Sequence, residues 1–118
     1  MEQIPFDLET EAKKVPELFS DLQPHIVEAF WQYHRENEHV YDLFCQFARD
    51  VRQAGRSNYG VGAIFERIRW HYAVETKGDE FKLNNNYRSC YARLLVLKDP
   101  SFADFFQMRR TPGTVIAG

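Results

Sequence analysis

Three polar side chains in the C-terminal half of the chain have the types and the spacing to read nucleic-acid bases. Asn86, Ser89 and Arg93 stand at positions i, i+3 and i+7, which share one face of a helix. Asparagine pairs with adenine, and arginine pairs with guanine, in the major groove of DNA. These three residues are therefore the candidate base-facing contacts, carried by a predicted helix at 85–98.

Basic residues around this face are candidates for binding phosphate, and they are Arg67, Arg69, Lys82 and Arg88. A helix and a turn precede the predicted helix, so the central pair resembles a helix-turn-helix arrangement. The loop of about eight residues is longer than the three or four of a compact helix-turn-helix. The sequence pI of about 6.1 is also low for a DNA-binding protein, for which a pI above roughly 9 is typical.

The charge of the chain is divided unevenly between its two halves. Residues 1–48 contain three basic and ten acidic residues, a net charge of −7, and the remainder has a net charge of +5. This division fits an acidic arm beside a basic body that contacts nucleic acid. It equally fits two halves of one domain that attract each other.

The second hypothesis is a protein-binding accessory or an inhibitor of a host protein, without any nucleic-acid contact. Its partner surface would be the acidic arm or Trp70 beside Arg67. At 100° per residue, Trp70 falls about 180° from Val61, on the polar side of its helix. Burial under the arm or under the first long helix is the favoured interpretation of this tryptophan, and an anchor for a partner is the alternative.

No pattern predicts an enzyme, a metal site or a cofactor. The four histidines (His25, His34, His39 and His71) form no ligand set with the two cysteines. Cys45 and Cys90 each fall on the apolar face of a predicted helix, so we expect two buried free thiols. No nucleophile elbow or dinucleotide fingerprint is present.

Hydrophobic spacing predicts an all-α protein with about five helices in one compact domain, 1–118. The predicted helices begin near Pro24, at Asn37, at Ser57 or Asn58, at Asn84 and at Asp99, and the last one ends near Arg110. Residues 1–20 form a partly ordered acidic arm, and 111–118 form a C-terminal tail. Residues 72–83 read as a loop, with a minor β-hairpin as the alternative.

Targeting signals are not recognisable in the chain. No apolar run reaches the roughly 18–20 residues of a membrane span, and the first ten residues lack the pattern of a signal peptide. We therefore expect a cytoplasmic protein without a membrane partner. The ten Phe, six Tyr and two Trp residues leave aromatic side chains that are compatible with a homodimer.

The run from Gly62 to Trp70 reads GAIFERIRW, and it is followed by GDEFKLNNNY from Gly78 to Tyr87 and by Tyr91-Ala92-Arg93. This pattern resembles small helical proteins of phage and prophage genomes, a largely uncharacterised group. The similarity covers roughly the last two thirds of the chain. It implies a phage- or prophage-borne accessory protein in a bacterial host cell, and it carries no active-site assignment.

Overall fold

Five α-helices build the described part of the fold, in agreement with the all-α prediction. The computed structural model describes residues 7–76 and 82–107. The α-helices are α1 (Leu8–Lys13), α2 (Pro24–Glu36), α3 (Glu38–Gln53), α4 (Val61–Trp70) and α5 (Arg88–Lys98). Single 3-10 turns lie at Pro16–Phe19, Asn85–Tyr87 and Pro100–Phe102, and a π-helical turn, His71–Glu75, continues α4. Two-residue strands, β1 (Tyr59–Gly60) and β2 (Phe106–Gln107), pair in parallel.

The helix boundaries follow local signals in the sequence. Pro24 occupies the first turn of α2, where its missing N–H costs no hydrogen bond. Gly55 ends the turn after α3 with a φ of 103°, a left-handed conformation that glycine adopts without steric cost. The side chain of Asn84 accepts a hydrogen bond from the backbone N–H of Asn86 at 2.8 Å. These proline, glycine and asparagine signals therefore act where the sequence predicts.

Tyr91 lies at the centre of the core. Its ring is fully buried and contacts the rings of Phe30 on α2, Phe44 on α3 and Phe65 on α4, at centroid distances of 5.1, 5.7 and 5.8 Å. Edge-to-face and offset aromatic pairs of this kind stabilise a core beyond their buried area. The helix α5 that carries Tyr91 is therefore the element around which the other helices pack.

One of the five predicted helices is not an α-helix, and one observed α-helix lies where none of the five was predicted. The predicted helix after Asp99 is only the 3-10 turn Pro100–Phe102, because the chain then turns to form β2. The fifth α-helix is instead α1, in the segment predicted to be a partly ordered arm. Residues Leu8 and Ala12 of α1 are buried, so hydrophobic packing orders this part of the arm.

The start of α4 and the following loop also differ from expectation. The helix begins at Val61 with Gly60 at its N-cap, because Tyr59 first donates its backbone N–H to the carbonyl of Phe105 at 2.8 Å. Residues 71–75 are helical, so they do not supply the first strand of the alternative hairpin. Leu83 is buried as predicted. Residues 77–81 of the predicted loop, and the tail at 111–118, lie outside the described residues.

Candidate functional site

The helix α5 is buried on more than one side, which changes the surface expected for it. Ala92, predicted to lie on the outer face between the base-facing residues, is 3% exposed. Its neighbours Cys90, Tyr91, Leu94 and Leu95 are also buried. The prediction that α5 has an open outer face is therefore wrong. A segment from the N-terminal part of the chain lies against that face.

Arg93 holds that N-terminal segment in place. Its Nη1 donates to the backbone carbonyl of Leu18 at 2.8 Å and to Oδ1 of Asp21 at 2.6 Å, and its Nη2 donates to Oδ2 of Asp21 at 2.7 Å. The hydrogen bonds from Arg93 lower the pKa of the Asp21 carboxyl. The acidic N-terminal half and the basic C-terminal half thus attract each other at this contact, as one interpretation of the charge division predicts.

Residues 15–23, which we call the strap, contain no buried residue. Their apolar contacts come from partly buried side chains that pack against the core, namely Leu18, Phe19 and Leu22. The ring of Phe19 lies edge to face on Phe30 and Trp31, at centroid distances of 6.2 and 5.9 Å. The strap therefore rests on the surface of the core and is fastened there by Arg93.

A groove of about 730 Å³ lies between the strap and α5. The strap provides one wall, and residues of α5 and of the turn after it provide the other. Apolar side chains dominate, and the lining residues are Leu18, Asp21, Leu22, Ser89, Ala92, Arg93, Val96, Leu97, Pro100, Ala103 and Phe106. Two of the three predicted base-facing residues, Ser89 and Arg93, thus line this groove.

Asn86, the third predicted base-facing residue, lies in the 3-10 turn before α5 and is exposed. Two of the predicted phosphate contacts converge beside it. Arg69 donates Nη2 to the carbonyl of Leu83 at 2.8 Å and also bonds the side chains of Asn85 and Glu66. Arg88 donates Nε to the carbonyl of Asn85 at 3.2 Å.

Lys82, also predicted to contact phosphate, is exposed at the start of this segment. Its backbone carbonyl accepts a hydrogen bond from the hydroxyl of Tyr33 at 3.2 Å. A Cβ on Gly62 would lie 3.2 Å from Nη1 of Arg88. The glycine in the first turn of α4 therefore makes room for an arginine side chain of this same protein.

Arg67, the fourth predicted phosphate contact, lies on another side of α4, since two positions along a helix differ by about 200°. Its Nη1 donates to Oε1 of Glu75 at 2.7 Å. Its guanidinium lies 4.4 Å from the ring centroid of Phe47 and 5.2 Å from that of Trp70. Trp70 is 52% exposed, so the favoured expectation that the arm or α2 covers it is wrong.

Both cysteines are buried free thiols, as predicted. Burial raises the pKa of the Cys45 thiol and raises that of Cys90 to about 12, so neither is a thiolate nucleophile at neutral pH. Among the described residues, no group of three or more His, Cys, Asp or Glu residues could hold a metal ion. No helix in residues 7–76 and 82–107 has the length and apolar character needed to cross a bilayer.

The residues missed by sequence reasoning are those of the strap. Asp21 reads as a residue just before the first long helix, and Leu18 reads as part of the partly ordered arm. The only signal that pointed to Asp21 as a partner for α5 is the opposite charge of the two halves. The groove could not be predicted because its walls come from segments that are 72 residues apart at the Arg93–Asp21 contact.

Comparison of the sequence with protein-family models, with curated proteins and with solved structures found no match. Every functional assignment therefore comes from the residues of this chain.

Proposed function

We propose that this chain is a protein-binding accessory protein, and that its groove receives apolar side chains of a partner polypeptide. The observation that carries this proposal is the binding of Arg93 by Asp21. Arg93, a predicted base-facing residue, is already paired with Asp21, and the groove beside it is mainly apolar. An apolar groove with few polar groups suits side chains that leave water on binding.

The charges of the predicted phosphate contacts support the same proposal. Arg67 pairs with Glu75 and Arg69 pairs with Glu66, so a nucleic acid would have to compete with carboxylates of the protein. The likeness of the sequence to small phage and prophage proteins agrees with an accessory role. Trp70 remains a predicted second contact, because a half-exposed tryptophan beside an arginine is typical of binding hot spots.

A selection from a random peptide display library tests the proposal. We expect the protein to enrich peptides rich in Leu, Ile, Val and Phe. Ala103 lines the groove and is exposed, so Ala103→Glu should weaken the selected peptides about tenfold without unfolding the protein. Ala63→Glu is the matched control, since Ala63 is an exposed alanine on α4 outside the groove. Equal binding by the two variants, or no enrichment at all, contradicts the proposal.

A nucleic-acid contact is the second candidate, and the convergence of Arg69 and Arg88 at Asn85 favours it. Fluorescence anisotropy with duplex and single-stranded DNA in a salt titration tests it. Phosphate contacts would give a steep dependence of affinity on salt, reduced by Arg88→Ala but not by Arg49→Ala on α3. No binding at about 50 mM salt would exclude this candidate.

A further inference from the structure

Asp21 and Arg93 are the only charged side chains among the described residues that line the groove. They bind each other through two hydrogen bonds between the guanidinium and the carboxylate. The Arg93 side chain is 24% exposed and that of Asp21 is 64% exposed. Water therefore reaches the pair mainly from the side of the aspartate, and such an ion pair contributes little net stability.

The strap can leave this position while α1 and α2 stay in place, because the segments on both sides of it have anchors of their own. Before the strap, α1 buries Leu8 and Ala12 and binds Arg35 of α2 through Glu9, at 2.9 and 2.7 Å. After the strap, α2 is fixed in the core by Phe30. Segments with few buried side chains are those that open locally at low free energy.

We propose that the strap is an internal competitor for Arg93: Asp21 binds this arginine until a partner segment brings its own carboxylate. The partner is thus an apolar peptide segment that contains an aspartate, a glutamate or a C-terminal carboxylate. This inference rests on the proposed protein-binding function and specifies the chemistry of the partner.

The exchange conserves the pairing of Arg93 with a carboxylate and gives up its hydrogen bond to the carbonyl of Leu18. Arg93 keeps a bidentate carboxylate, which is the acceptor that best fits a planar guanidinium. The strap gains freedom, and its aspartate is solvated. The net gain comes from the apolar side chains of the partner, which cover the partly exposed Val96, Leu97 and Phe106 on the opposite wall.

Two peptide display libraries test this exchange. Both have randomised apolar positions around a fixed central residue, which is glutamate in one library and glutamine in the other. We expect the protein to bind glutamate peptides at least about tenfold more tightly than their glutamine counterparts. Asp21→Asn should tighten the glutamate peptides by about threefold or more, because it raises the fraction of protein with an open strap. Arg93→Gln should abolish the preference for glutamate and leave apolar binding in place.

Glu17→Gln is the matched control, because Glu17 is an exposed carboxylate on the same strap that does not line the groove. It should leave peptide affinity unchanged. Hydrogen exchange supplies a readout without any peptide: Asp21→Asn should increase exchange in 16–22 while α3 and α4 stay protected. Glu17→Gln should have no such effect.

The outcomes separate the two proposals. If apolar peptides bind and Ala103→Glu weakens them, but glutamate and glutamine peptides bind equally, the competitor model is wrong and the protein-binding function stands. If Asp21→Asn neither tightens glutamate peptides nor loosens the strap, the competitor model is also wrong. If no peptide from any library binds, the protein-binding function itself fails.

Discussion

Phe19 of the strap lies edge to face on the indole ring of Trp31, with ring centroids 5.9 Å apart. Trp31 is 4% exposed, whereas Trp70, the second of the two tryptophans, is 52% exposed. The buried tryptophan is therefore a natural reporter of the position of the strap.

We expect the fluorescence of Trp31 to respond when the strap is released. In a Trp70→Phe background, Asp21→Asn should shift the emission to longer wavelength and increase quenching by acrylamide, because Trp31 loses its cover. Glu17→Gln in the same background should behave like the parent protein. An unchanged spectrum for Asp21→Asn would show that the strap stays in place without the ion pair.

The pairing of Glu9 with Arg35 should make stability depend on pH. Hydrogen bonds from the Arg35 guanidinium lower the pKa of Glu9 to about 2. Because the folded pKa lies below the unfolded value of about 4.3, the carboxylate contributes stability above that value and loses it as the pH falls through the folded pKa.

Glu9→Gln should therefore reduce the free energy of unfolding at pH 7 by up to about 1 kcal/mol, because solvent screens an exposed ion pair. The difference from the unsubstituted protein should shrink as the pH falls from about 5 to about 2. Thermal unfolding followed by circular dichroism at several pH values measures it. Glu28→Gln on the exposed side of α2 is the control, and a difference that stays constant with pH would contradict the assignment.

The hydroxyl of Tyr91 is buried and has no hydrogen-bond partner among the described residues. Removing an unsatisfied buried polar atom is neutral or stabilising, so Tyr91→Phe should change stability by less than about 1 kcal/mol. Tyr91→Leu should cost about 3 kcal/mol or more, because it leaves a cavity where three aromatic rings meet. Urea unfolding of both variants measures these changes in stability. A large loss of stability in Tyr91→Phe would reveal a hydrogen bond to that hydroxyl.

Two glycines should respond oppositely to alanine. Gly55→Ala should destabilise the protein by about 1 kcal/mol, because the φ of 103° is strained for residues with a side chain. Gly62→Ala should stabilise α4 by up to about 1 kcal/mol, because the new Cβ meets only the flexible end of Arg88, at 3.2 Å. Thermal unfolding measures the stability of both variants. A loss of stability in Gly62→Ala would show that the Arg88 side chain cannot move away from the new Cβ.

Local sequence signals made the helices predictable. The same signals do not encode how the helices pack against one another. Pro24, Gly55 and Asn84 mark their boundaries correctly because capping and turn preferences depend on a few neighbouring residues. The sequence could not show that Ala92 is buried. Small apolar residues are common on exposed helix surfaces, and burial here depends on packing against distant parts of the chain.

The functional residues were predicted only in part, for the same reason. Arg93 was predicted only as a base-facing contact, and its observed partner Asp21 is remote in the sequence. Trp70 was expected to be covered because large aromatic side chains are mostly buried. Its exposure depends on where the neighbouring segments lie, and no periodicity encodes that.

The distance along the chain between Asp21 and Arg93 has a consequence for protein synthesis. The strap leaves the ribosome before α5 does, because Arg93 of α5 is synthesised 72 residues after Asp21. At about 5–20 residues per second, the delay is roughly 4–14 s. During this interval Leu18 and Leu22 have no α5 to pack against, so the nascent chain exposes these two apolar side chains before the groove exists.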